Sequence, residues 1–156
     1  MSAARVHLVT GILERNGAVL LVASRYPNHA QPLWNLPGGR QRHGELLHDA
    51  LRREFDEETS LSITIEGLRY VAESYDPSTD THFTNFAFGV GSSHEPRLRA
   101  GDAHVVELAW VAQVQLAERL GVEVVREPLL ANLRDPSRRY FAFRDAGITI
   151  EFADSP

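Results

Sequence analysis

Three glutamates, Glu54, Glu57 and Glu58, fall within five residues of one another in the stretch "LRREFDEETS" that spans residues 51–60. On a helix this spacing makes them surface neighbours that repel each other when ionised. The commonest reading of such a run is a solvated helix face. With a helical advance of about 100° per residue and Leu47 set at zero, Ala50 lies at about 300°, Leu51 at about 40°, Phe55 at about 80° and Leu46 at about 260°. On the same wheel Glu54 lies at about 340°, Glu58 at about 20° and Glu57 at about 280°, inside the apolar stripe. Glu45, Asp49 and Asp56 cluster between about 160° and about 200°, with Arg52 at about 140°, and already supply a solvated face.

Carboxylates turned towards a core need either basic partners or a bound hard cation, and oxygen-only ligands suit Mg²⁺ or Mn²⁺. Just upstream, "LPGGRQRHGE" (residues 36–45) offers two glycines, Gly38 and Gly39, whose backbone can approach a ligand closely. Arg40, Arg42 and Arg25 add charges that can hold phosphate oxygens. Acids, arginines and an open loop together describe a pyrophosphate site, although a Pro-Gly-Gly by itself is more often an ordinary turn.

The elements that must position these groups follow from hydrophobic patterning. Residues 5–12 and 18–24 are aliphatic and β-branched runs around Asn16-Gly17, a tight-turn signal, and are predicted to form a hairpin. Residues 25–33 read as a loop and 34–36 as a short extended segment, with Gly38 and Gly39 expected to break regular structure. A helix is expected over about 45–59, then strands over 61–76, 82–90 and 104–112, with a turn at residues 76–80. Residues 114–120 and 126–135 read as late helices, and 139–152 as a strand hairpin or irregular tail. The result is an α/β (α+β) domain with a mixed, largely antiparallel sheet.

The stretch Gly39 to Leu61 resembles the Nudix hydrolase box, G, five residues, E, seven residues, then R-E-U-x-E-E-x-G-U with U bulky apolar. Gly39, Glu45, Arg53, Glu54, Phe55, Glu57, Glu58 and Leu61 stand at the matching positions, and Ser60 replaces the usual glycine. The preceding "WNLPGG" is also typical of the family. The resemblance implies an α/β/α sandwich in which Glu54, Glu57, Glu58 and the Gly38 carbonyl ligate Mg²⁺ or Mn²⁺. It further implies that Arg53 and Glu45 orient these glutamates, and that water attacks phosphorus in a nucleoside diphosphate linked to a group X. Arg25, Arg40, Gly39 and Trp34 are the candidate substrate contacts. Either Ser60 bears a modest strain or the helix ends differently there, and a local stability cost rather than a loss of chemistry is expected.

Many Nudix enzymes place a further acid several positions before the tryptophan of "GDAHVVELAWV". Here His104 lies near that slot, flanked by Asp102 and Glu107; His104 and Glu107 each read as an auxiliary base or as a strand-edge surface residue. Trp34, Tyr26 and Tyr75 are candidates for stacking on a base or for core packing. Pro77 lies near the position where ADP-ribose hydrolases of the family resemble one another in carrying proline, and it also suits its turn. His29, His43 and His48 read as surface or loop residues.

Composition bounds the rest. At 156 residues and 17.4 kDa the chain is expected to form one domain over 1–156. A net charge of −5 argues against duplex nucleic acid as a partner. No cysteine is present, which excludes disulfides and thiolate chemistry and suits a cytoplasmic location. No signal peptide or membrane span is read in the sequence. A small nucleotide substrate and a homodimer are expected from the resemblance. The rival readings are a non-catalytic Nudix-fold module that senses a nucleotide, and a structural domain whose acidic helix binds a cation.

Overall fold

The computed structural model describes residues 3–99 and 104–149. Strand β1 (Ala4–Arg15) turns through Asn16 and Gly17, both at positive φ, into β2 (Ala18–Ser24). The two pair antiparallel, as the Asn-Gly signal predicts. β3 (Leu33–Asn35) and β4 (Gly38–Arg40) follow, then helix α1 (Leu47–Thr59), the long strands β5 (Thr64–Asp76) and β6 (Thr81–Gly91), and β7 (Val105–Ala112). A 3₁₀ turn leads into the short α2 (Leu116–Arg119), then α3 (Glu123–Arg134) and β8 (Tyr140–Phe143).

The eight strands form one mixed sheet in the order β3-β2-β1-β6-β5-β8, with β4 attached to β1 and β7 to β2. β1–β6 and β5–β8 are parallel and the other pairings antiparallel. Side chains alternate across this sheet and build two cores. On one face Val9, Leu13, Leu20 and Phe88 close over Ala50, Leu51 and Phe55 of α1. On the other, Ile12, Val19, Leu21, Tyr70 and Val111 meet Leu116, Leu120 and Leu129 of the late helices. Helices on both faces give three layers, the architecture expected. Gly11 lets α1 sit close, since a Cβ there would lie 2.4 Å from the Phe55 ring.

Several boundaries differ from expectation for local reasons. Gly38 and Gly39 do not break the structure; they pair with Thr10 and Val9 as β4, Gly38 because a Cβ there would strike the β1 backbone and Gly39 because a Cβ there would strike the Glu54 carboxylate. α1 begins at Leu47 rather than near Glu45, and Asp49 caps it by accepting the Leu46 N–H at 3.0 Å. Leu46 is therefore outside the helix and 74% exposed, not part of the apolar face. α3 starts three residues earlier than the pattern suggested. β8 runs parallel to β5 instead of forming a hairpin; residues 150–152 lie outside the described residues, as does Asp102. Among the described residues no helix is long and apolar enough to cross a membrane.

Candidate active site

α1 lays its acidic edge against β4. Phe55 and Leu51 are fully buried, and this fixes the rotation of the helix on the sheet. Glu58 is consequently drawn to 5% exposure, Glu54 keeps 13% of its side chain exposed, and Glu57 sits at the rim with 38%. Asp49, Asp56 and Arg52 face solvent, as the wheel requires, whereas Glu45, expected on that solvated face, precedes the helix and keeps only 18% of its side chain exposed, because it is drawn in by Arg53.

Arg53 is the hub. Its Nε and Nη2 donate to Glu45 at 2.6 and 2.9 Å, and its Nη1 reaches Glu54 at 2.9 Å and Glu57 at 3.4 Å. Nη2 also donates to the Arg40 carbonyl at 3.0 Å, tying α1 to β4. Only a guanidinium fork can serve so many acceptors in one plane. Its hydrogen bonds hold the Glu45 carboxyl down at about 2, and those with Glu45 in turn raise the basicity of Arg53. Glu45 also accepts the Arg42 N–H at 2.9 Å and so belongs to the loop before α1.

Burial raises the pKa of Glu54, against the opposing hydrogen bond and charge of Arg53 and a hydrogen bond with Glu58; the charge of Glu57 adds to the rise. Glu58 accepts the Gly38 N–H at 3.0 Å. In the β1–β4 ladder Pro37 and Gln41 carry the bonds to β1, with Gly11 and His7 as partners. Antiparallel alternation then turns both polar groups of Gly38 away from β1 and towards α1. Gly38 has φ 153°, and a Cβ would lie 2.0 Å from the Val9 carbonyl oxygen. At Gly39 a Cβ would lie 2.6 Å from Glu54 Oε1, so the carboxylate occupies the room the missing side chain leaves.

Among the described residues no three His, Asp or Glu side chains form a finished metal cage. Arg53 holds two of the three carboxylates instead, as basic partners would. Arg42 stands 3.9 Å from Glu57. Tyr26 closes the site from the β2–β3 loop. Burial pushes its phenol up to about 12, with the charges of Glu58 and Glu54 adding to the rise and a hydrogen bond with Ser24 opposing it. His104 is exposed and packs its ring edge-on to Tyr26 at 5.3 Å, while its carbonyl accepts the Arg25 N–H at 2.8 Å. The Arg25 side chain is exposed.

Other candidates lie elsewhere. Trp34 packs into the core beneath α2 and α3, with the Arg119 guanidinium 4.8 Å over its ring. Ala23 pairs with Trp34 on one side and Glu107 on the other, so Glu107 is exposed on that same face, away from α1. Tyr75 donates to Asp80 at 2.7 Å in the turn that holds Pro77.

The sheet face opposite α1 carries a feature that the sequence reading missed. A cavity of about 100 Å³ there is lined by Thr10, Asn35, Ser74, Asn85 and apolar side chains including Phe83 and Val125. Thr10 joins it to the acidic site, lining the cavity while backing Gly38. Polar residues at inward positions of otherwise apolar strands, Thr10 in "LVTGI" and Asn85 in "FTNFAF", are the signal that could have found it.

The family model for the NUDIX domain matches residues 3–133. The chain belongs to the Nudix family. Solved structures with the same fold include the Escherichia coli ORF135 protein, 22% identical over 87% of this chain and 93% of its own, with a TM-score of 0.70. The MutT protein of Methanosarcina mazei Go1 is 15% identical over 89% and 99%, with a TM-score of 0.73. An ADP-ribose pyrophosphatase from Streptococcus suis is 16% identical over 88% and 98%, with a TM-score of 0.62. No curated protein matches the chain. As a Nudix hydrolase it is an enzyme of phosphoric anhydride bonds, from a family that acts on small nucleotides and generally uses divalent metals.

Proposed function

We propose that this Nudix hydrolase cleaves the diphosphate of a small nucleotide, a nucleoside triphosphate or an ADP-ribose-like sugar nucleotide, by attack of water on phosphorus. The observation that carries this reading is the gathering of Glu54, Glu57 and Glu58 against Gly38 and Gly39, with Arg53 tethering the first two. Oxygen-only donors of this kind fit a hard divalent cation, Mg²⁺ or Mn²⁺, which these three glutamates and the Gly38 carbonyl would hold. When bound, such a cation neutralises diphosphate oxygens and lowers the pKa of water.

The chain's own groups do the rest. Arg53, fixed by Glu45, orients Glu54 and Glu57 and is a positioning residue. Arg25, Arg40 and Arg42 restrain the phosphates, and Gly39 leaves room for them. The proton of the attacking water goes to a carboxylate of this group; burial makes Glu54 the one with raised proton affinity. Of the two auxiliary base candidates, the position of His104 beside Tyr26 supports it over Glu107. The cavity behind Thr10 suits the uncharged nucleoside end, because amides, hydroxyls and the Glu73 carboxylate line it and, among the described residues, no Lys or Arg does. Trp34, half-buried against the core, is then a support for the β3 wall rather than a stacking platform. We read residues 1–156 as one such domain, cytoplasmic and homodimeric.

The test is nucleotide or phosphate release from a panel of nucleoside triphosphates and diphosphate sugars with Mg²⁺, comparing wild type with Glu57→Gln. Wild type is expected to turn over at least one member and the variant to lose about 100-fold or more in kcat. Tight binding without turnover by wild type would reassign the chain as a nucleotide-sensing module.

A further inference from the structure

Residues 134–149 lie beyond the span matched by the family model, yet they are built firmly into the molecule. Asn132, fully buried, starts them by donating to the Arg138 and Arg69 carbonyls at 2.9 and 3.1 Å. β8 then extends the sheet beside β5, and Phe141 meets Tyr70 edge-on at 5.6 Å. After β8 the chain crosses the face that holds the cavity. Its Ala146 N–H donates to the Tyr75 carbonyl at 3.1 Å, next to the β5–β6 turn.

The far end of the crossing is tied at one residue. The Thr149 carbonyl takes Asn28 Nδ2 at 2.7 Å and His29 Nε2 at 2.8 Å, both from the β2–β3 loop. Its hydroxyl lies 3.1 Å from that of Ser78 in the β5–β6 turn. From the end of β8 to the Thr149 tie, Phe143, Ala146 and Ile148 line the cavity, together with Asn35 and Asn85. The cavity therefore has a polar floor of amides and an apolar wall supplied by this segment. Glu73, engaged by His82 at 2.7 Å, lines it too and disfavours phosphate there.

We propose that the segment 143–149 is a specificity wall: it limits the cavity to one compact, uncharged ring system with a polar edge, a nucleobase, and Asn28, His29 and Ser78 hold it in place. This rests on the nucleotide hydrolase reading given above. The wall acts on binding of the uncharged end, remote from the diphosphate, so its effect falls on KM and not on kcat.

The experiment compares the best nucleoside triphosphate with an analogue whose base carries a bulky exocyclic substituent, for wild type, Ile148→Ala and the double variant Asn28→Ala/His29→Ala. Wild type is expected to discriminate against the enlarged base by about tenfold or more in kcat/KM, through KM, and both variants to reduce that ratio several-fold. A single cooperative thermal unfolding transition reports that each variant is folded. Turnover with an unchanged discrimination ratio in both variants overturns the wall and leaves the hydrolase reading intact. If wild type binds the nucleotides without turnover, the hydrolase reading falls and dissociation constants for the same pairs decide the wall by the same ratio. If it binds neither, both fall.

Discussion

Arg53 and the glycines opposite it decide how three carboxylates share a half-buried space. An unpaired carboxylate at the burial of Glu54 would be strongly disfavoured, and the Arg53 guanidinium offsets that. The Glu45 pair carries a pH signature. Its folded pKa, about 2, lies below the ordinary 4.5, so its stabilisation is complete above about pH 4.5 and is lost as pH falls through 2. Urea unfolding at pH 7 and at pH 3 should show a smaller pH dependence for Glu45→Gln than for wild type. The two glycines should part company under substitution. Gly38→Ala sets a Cβ against the Val9 carbonyl at a positive φ, and a loss of about 2–4 kcal/mol in unfolding free energy is expected. Gly39→Ala meets only the end of the Glu54 side chain, which can swing. Near-normal stability with weakened Mg²⁺ binding, read by calorimetric titration, is the expected outcome there.

Helix α1 ends on Ser60, and the way it ends explains the departure from glycine. Ser60 has φ 61° and ψ 20°, the left-handed conformation, and its N–H still donates to the Asp56 carbonyl at 3.1 Å. Glycine adopts that conformation freely. What serine adds is a hydroxyl that donates to the Arg97 carbonyl at 3.0 Å. The Arg97 N–H donates in turn to the Thr59 carbonyl at 2.8 Å, and Arg99 pairs with Asp56 at 2.8 Å, so the segment after β6 is lashed to the helix end. The left-handed conformation costs serine about 1 kcal/mol, and an exposed hydrogen bond returns roughly 0.5–1 kcal/mol. Ser60→Gly should therefore change stability by less than about 0.5 kcal/mol, whereas Ser60→Ala, strained and without the bond, should lose about 1 kcal/mol. Chemical denaturation of the two variants separates strain from anchoring.

The molecule as a whole joins two faces of one sheet at β1, where Val9 packs under α1 and Thr10 opens into the cavity. A ligand bound on both sides of that strand stabilises the folded state by mass action. Mg²⁺ should raise the melting temperature, and the rise should shrink as pH falls, because protons held by the raised pKa of Glu54 compete with the cation. An equal rise at low and high pH would count against these carboxylates as the site. The acidic helix, its rotation and its match to the Nudix box were legible in the sequence because they are local: a period of about 3.6 residues and a fixed spacing carry them. The hairpin at Asn16-Gly17 was legible for the same reason. The partition of Trp34 and Glu107 to the far face, the meeting of Tyr26 with His104, the strand formed by Gly38 and Gly39, and the cavity with its C-terminal wall depend on pairings between residues tens of positions apart. Pattern along the chain states which residues share a face of one element; only the packing of elements against each other decides which faces meet.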